Sequence, residues 1–123
     1  MSEVSLYHNP RCSKSRQTLA LLEERGIEPE IIEYLKTPPD AATITGLLDR
    51  LGIPAIELIR RGEAPFAELG LAGKEGDDAA LIEAMVSHPV LIQRPIVVSG
   101  EQARIGRPPE NVLEILCWEP ASA

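Results

Sequence analysis

Short apolar or β-branched runs alternate along the chain with longer stretches whose apolar positions recur every three or four residues. Val4, Leu6 and Tyr7 predict a first strand over Glu3 to Tyr7, and Ile31, Ile32 and Tyr34 predict a second. Pro95-Ile96-Val97-Val98 predicts a third strand. Ser99-Gly100-Glu101 then turns the chain so that Gln102 to Ile105 returns antiparallel to it. Between the first two runs, Ser13 to Arg25 has helical spacing, with Leu19, Leu22 and Thr18 toward the core and Gly26 as the stop. Thr37-Pro38-Pro39-Asp40 breaks the chain and offers a cap for a helix over Ala41 to Leu51, which Gly52 ends. Pro54 to Arg60 predicts a short helix, Pro65 to Leu69 a single turn, Gly73 to Asp78 a polar loop and Asp77 to Ser87 a further helix. Pro108 or Pro109 opens a last helix that buries Val112, Leu113 and Leu116, and Glu119 to Ala123 is expected to fray.

Two strands joined by a helix form a βαβ unit, which requires parallel strands and a right-handed crossover. The full order β-α-β, helices, β-β-α is the layout of an α/β, thioredoxin-like fold, a three-layer or two-layer sandwich with a small mixed sheet. Residues 1–123 are expected to form a single domain with a helical insertion at about 40–88. In this layout the active turn lies between the first strand and first helix, facing a cis-proline at the start of the third strand. The Arg94-Pro95 bond is therefore predicted to be cis, although only about 5–6% of X-Pro bonds in folded proteins are.

Composition narrows the class. With 123 residues, 44% of them hydrophobic, the chain can build a core. No apolar run approaches the roughly 20 residues of a membrane-spanning helix. The start of the chain lacks the basic and apolar regions of a signal peptide, so the expected location is the cytoplasm. A net charge of -7 argues against nucleic acid or an anionic membrane as partner. It leaves room for a small anion, because Arg11, Lys14 and Arg16 cluster near one end and Arg94, Arg104 and Arg107 near the other. The two cysteines, Cys12 and Cys117, differ too much in context to suggest a structural disulfide. Nothing has zinc-ligand spacing, and Pro10 interrupts any helix joining His8 to Cys12, so neither a metal nor a bound cofactor is expected.

The chemistry concentrates in His8-Asn9-Pro10-Arg11-Cys12-Ser13-Lys14-Ser15-Arg16. A cysteine at a helix N-terminus meets free backbone N–H groups, which favour thiolate over thiol and can also hold an oxyanion. An unperturbed thiol with a pKa near 8.5 is only about 3% ionised at pH 7, so such activation matters. Arg11, Lys14 and, if protonated, His8 act in the same direction, and Ser15 can donate a hydrogen bond to the sulfur. His8 either assists ionisation or caps the strand end, while Lys14 and Arg16 either contact the anion or face solvent. Ser15 stands where a Cys-x-x-Cys pair would have its second sulfur. An adduct on Cys12 must therefore be resolved by an external thiol, or by Cys117 if the fold brings it close; core packing beside Trp118 is the other role open to Cys117. His88, before Pro89, reads as a helix-end residue.

His8-Asn9-Pro10-x-Cys12-x-x-Ser15-Arg16 resembles the active turn of the glutaredoxin-dependent arsenate reductases. The resemblance continues through Glu33-Tyr34-Leu35-x-x-Pro38-Pro39, Leu58-Ile59-Arg60-Arg61, Glu68-Leu69-Gly70-Leu71, His88 to Val98 and Gly106-Arg107-Pro108, and so covers nearly the whole chain. It implies a thioredoxin-like fold and reduction of arsenate to arsenite. It further implies that Cys12 attacks arsenate, that Arg60, Arg94 and Arg107 bind the oxyanion, and that His8 helps keep the cysteine ionised. Asn9, Lys14 and Pro95 are supporting positions. Glutathione then attacks the cysteine-bound arsenic as co-substrate, and glutaredoxin resolves the mixed disulfide. Guanidinium forks match tetrahedral oxyanions bidentately, which makes an arginine trio chemically apt, although Arg60 beside Arg61 also fits an exposed helix residue. The pair between Cys12 and Ser15 departs from the smaller, uncharged residues of many members, because it contains Lys14. Two other functions fit the same fold: an Spx-like regulator that binds RNA polymerase, whose usual Cys-x-x-Cys sensor Ser15 disrupts here, and a glutathione-dependent thiol reductase with another substrate.

Overall fold

In the computed structural model, which describes residues 4–115, a four-stranded mixed sheet has the order β2-β1-β3-β4. Its strands are β1 (Val4–Tyr7), β2 (Glu30–Ile32), β3 (Ile96–Ser99) and β4 (Gln102–Ile105). β1 pairs parallel with β2 and antiparallel with β3, in a register that sets Leu6 opposite Val97 and Tyr7 opposite Ile96. The pleat then sends neighbouring residues to opposite faces. Leu6 and Val97 pack with Leu22 of α1 (Ser13–Glu24) and with Val112 and Ile115 of a 3-10 helix, Pro109–Ile115. Ile96 and Ala103 pack on the other face, against the helical insertion. That insertion contains α2 (Ala41–Leu51), α3 (Ala55–Leu58), α4 (Ala64–Glu68) and α5 (Asp78–Ser87). Helices therefore cover both faces, giving the three-layer form of the thioredoxin-like fold.

Local chemistry explains the element ends. Asp40 accepts the Thr43 N–H at 2.8 Å, and Asp77 accepts the Ala80 N–H at 3.1 Å, so both long helices of the insertion begin on carboxylate caps. Gly52 ends α2 at φ 70°, a left-handed conformation that glycine adopts without steric cost. The second strand is shorter than the apolar run suggested. The Glu33 carbonyl accepts the N–H groups of Lys36 and Thr37, so the chain turns immediately and Tyr34 leaves the sheet to lie wholly buried in the core. The polar loop begins as a 3-10 turn, Leu71–Lys74. In the last helix Val112 is buried and Leu113 partly so, while Leu116, Cys117, Trp118 and the tail lie outside the described residues.

Arg94-Pro95 is cis, as its place before β3 predicted, and Arg107-Pro108 is a second cis bond that the sequence pattern did not suggest. Gly106 connects the two. Its N–H donates to the Pro95 carbonyl at 2.9 Å, and a Cβ there would lie 2.6 Å from Thr18 Oγ1 and 2.9 Å from Pro95 Cγ. Glycine is needed here for close approach. Gly106→Ala is expected to cost about 1–3 kcal/mol, typical of overpacking, and to lower the thermal midpoint. An unchanged midpoint would show that α1 and the proline loop can separate freely.

Candidate active site

Backbone geometry shapes the turn between β1 and α1. The Asn9 carbonyl accepts the Cys12 N–H at 2.9 Å, and Asn9 Oδ1 accepts the Arg11 N–H at 3.0 Å. Both bonds close the loop over Pro10, whose carbonyl receives Arg16 Nη1 at 2.9 Å. Ser15 is fully buried beneath this turn. Its hydroxyl accepts the Asn9 N–H at 3.0 Å and pairs with His8 Nδ1 at 3.1 Å. Cys12 is the N-cap of α1, and its half-buried sulfur faces the backbone N–H groups of Lys14 and Ser15 in the first turn and Arg107 Nη2 at 3.6 Å.

His8 does not act as a cation here. Burial pushes its pKa below the ordinary histidine value, more than Glu33 pushes it up, so the ring is neutral at pH 7. It holds the Ser15 hydroxyl in place. Ser15 in turn favours the thiolate through its backbone N–H, since its hydroxyl is engaged by His8 and Asn9. Lys14 likewise contributes a backbone N–H.

Burial raises the Cys12 pKa. The Ser15 N–H, the Arg94 guanidinium through hydrogen bonding and charge, and the Lys14 N–H together outweigh it and bring the pKa below the ordinary thiol value. Alkylation of Cys12 followed against pH should therefore have its midpoint below that of a free thiol. The unfolded chain, with the higher pKa, binds this proton more tightly. The group's stabilising contribution is thus present above the ordinary thiol value and is lost as pH falls through the native one. A midpoint at or above the ordinary value would show that burial wins.

Arg94 and Arg107 reach this sulfur from distant segments, and Arg60 joins them through Glu63, which lies 3.2 Å from Arg60 Nε and 4.0 Å from Arg94 Nη1; short strand-like contacts bind those segments together. Ile59 and Ile92 form an antiparallel bridge, Arg60 N–H donates to the Leu91 carbonyl at 2.7 Å, and Gln93 N–H donates to the Leu58 carbonyl at 2.8 Å. The end of α3 is thereby strapped to the segment that leads into Arg94. Beyond β4, Arg107 Nε donates to the Arg94 carbonyl at 2.7 Å and its Nη2 lies 3.6 Å from Cys12 Sγ. The Arg94 side chain is only 14% exposed, and its Nε and Nη1 are buried without a hydrogen-bond partner. Buried guanidinium donors without a hydrogen-bond partner are costly, and they remain open to an anion. Arg104 is turned away and pairs with Glu114 at 2.9 Å.

Two side chains that sequence reasoning missed complete the site. Glu63 Oε2 lies 3.2 Å from Arg60 Nε and 4.0 Å from Arg94 Nη1. The Tyr34 hydroxyl is buried beside the Arg94 guanidinium. Burial raises its pKa against the influence of the Arg94 and Arg60 charges, so it remains a neutral phenol beside Arg94. The sequence pattern placed Tyr34 in the second strand and gave no signal for Glu63. Only the strap between α3 and the Arg94 segment reveals their place. Among the described residues no group of three His, Cys, Asp or Glu side chains is placed to hold a metal, and no helix is long and apolar enough to cross a membrane.

Residues 7–115, which include every residue of this constellation, match the ArsC family. The chain belongs to that family. ArsC relatives include the uncharacterized protein YfgD of Escherichia coli K12, 57% identical over 115 residues that span 93% of this chain and 97% of the relative. An arsenate reductase of the same organism is 47% identical over 116 residues, spanning 94% of this chain and 82% of its own. Among solved ArsC structures, an arsenate reductase from Vibrio cholerae is 52% identical, with a TM-score of 0.89 over 92% of this chain and 97% of that one.

Proposed function

We propose that this ArsC-family protein is an oxidoreductase that reduces arsenate to arsenite through a covalent Cys12–arsenic intermediate, with glutathione and glutaredoxin as thiol donors. The observation that carries this is the Arg94 guanidinium, whose Nε and Nη1 are buried without a hydrogen-bond partner, beside a sulfur that favours the thiolate. Arsenate is a tetrahedral anion at neutral pH. Arg94, Arg60 and Arg107 offset its charge so that an anionic sulfur can approach. Cys12 forms a sulfur–arsenic bond while an arsenic–oxygen bond breaks and the oxygen leaves, protonated, as water. The thiol of glutathione then attacks the adduct. Two electrons pass from the sulfur pair to arsenic, releasing arsenite and leaving a Cys12–glutathione disulfide. No second cysteine follows Cys12 at Ser15, so an external dithiol, glutaredoxin, opens that disulfide. Such chemistry suits a reducing compartment like the cytoplasm.

The test is arsenate reduction with glutathione and glutaredoxin, run beside thioredoxin. Turnover with the first pair alone is expected. Reduction of a glutathione mixed disulfide without arsenate turnover would instead assign a general thiol reductase, and activity with thioredoxin alone would overturn the glutathione route.

A further inference from the structure

A carboxylate inside a cationic oxyanion site needs a reason. Glu63 lies against the two guanidinium groups of that site that are most withdrawn from solvent: its Oε2 is 3.2 Å from Arg60 Nε and 4.0 Å from Arg94 Nη1. The exposures are 29% for Glu63, 24% for Arg60 and 14% for Arg94, so screening by water is reduced. If attraction for any anion were the whole requirement, a negative charge here would be a liability. Arg94 Nη1 makes no hydrogen bond, so Glu63 does not satisfy it. An anion held by Arg60 and Arg94 must come close to the Glu63 carboxylate. A carboxylate accepts hydrogen bonds and cannot donate them. An oxyanion that still carries a proton can turn its O–H toward Glu63 while presenting its other oxygens to the arginines. One without a proton meets like charge at that corner.

We propose that Glu63 is a specificity-determining residue that admits protonated tetrahedral oxyanions, arsenate and phosphate, and rejects sulfate. At neutral pH arsenate and phosphate retain at least one O–H, whereas sulfate retains none. The three ions are otherwise alike in shape, and the arginines cannot tell them apart by geometry. A site that pairs with a ligand O–H discriminates strongly against an analogue lacking it, because the acceptor is left unmatched and repelled. The proposal rests on the oxyanion site described above and deepens it. It does not depend on the reductase chemistry.

The experiment reads anion occupancy at Cys12 without turnover. In a Cys117→Ser background, the rate of Cys12 alkylation by iodoacetamide is measured against increasing arsenate, phosphate or sulfate at constant ionic strength and neutral pH. With Glu63 present, arsenate and phosphate should slow alkylation at concentrations at least tenfold below those of sulfate. Glu63→Gln, which keeps the shape but can donate to an unprotonated oxygen, should narrow that preference about tenfold or more. Glu63→Asp, which keeps the charge, should retain it. If Glu63 only props the arginines apart or together, the glutamine variant would weaken all three ions equally and the preference would persist, which overturns the proposal. Equal protection by sulfate and phosphate in the unmodified protein would also overturn it. Selective protection in a protein that fails to reduce arsenate would uphold the Glu63 assignment while removing the reductase reading.

Discussion

Cys12→Ser is expected to abolish arsenate reduction, lowering turnover by at least about 10⁴-fold, the scale seen when an essential nucleophile is removed. The sulfur is the nucleophile at the turn, and its pKa lies below the ordinary thiol value. The Ser15 and Lys14 N–H groups and the Arg94 guanidinium favour its anion, but a hydroxyl in the same place titrates far too high for them to ionise it. His8 does not serve as a general base for it. His8 is occupied with the buried Ser15 hydroxyl and sits on the far side of that residue from Cys12 in the hydrogen-bond chain. The variant should still bind the oxyanion, because the arginines are untouched. Cys117→Ser should keep most activity. Glutathione-dependent turnover at the normal rate in the Cys12 variant would remove the assignment, and loss of activity in the Cys117 variant would instead make that thiol the resolving group.

Much of the frame was legible in the sequence because local signals agreed with one another. Asp40 and Gly52 bracket α2 at the predicted bounds, since a cap and a left-handed terminator act within their own helix. The Gln102 to Ile105 return strand and the cis Arg94-Pro95 bond were likewise where the order of elements placed them. Tyr34 shows the limit. Its apolar neighbours continue a strand pattern, but a turn at Glu33 takes it out of the sheet, and burial in the insertion core, a tertiary effect, decides its position.

The site was legible in its nucleophile and only partly in its surroundings. A cysteine before a helix announces its own electrostatics, because the N–H groups that stabilise it belong to the next few residues. The arginines do not, since convergence depends on pairing between segments far apart in the chain, such as Ile59 with Ile92. His8 was expected as a possible cation, and burial makes it neutral instead. Arg104 and Arg107 looked equivalent by composition. The strand pleat and the second proline turn separate them, one toward Glu114 and the other toward Cys12.

Arg94→Ala should lower kcat/KM for arsenate by about 10²–10³-fold, the cost of removing one preorganised donor from an anion site. Two effects combine in it. The guanidinium meets the incoming oxyanion, and it also helps hold Cys12 as thiolate, so the alkylation midpoint of Cys12 should move upward in the same variant. Arg107→Ala should cost less, because that side chain is exposed and its charge is better screened, although it lies 3.6 Å from the sulfur. Arg94→Lys should not restore the rate, since an ammonium lacks the planar fork that spans two oxygens. Folding stability separates this role from a structural one. Arg94 Nε and Nη1 are buried without hydrogen-bond partners, and Glu63 Oε2 stands 4.0 Å from Nη1, so truncation removes unsatisfied donors and should leave the thermal midpoint unchanged or raise it. A destabilised variant with an unshifted thiol would make Arg94 part of the scaffold, whereas a stable variant with a less acidic Cys12 and a crippled rate would place it at the oxyanion.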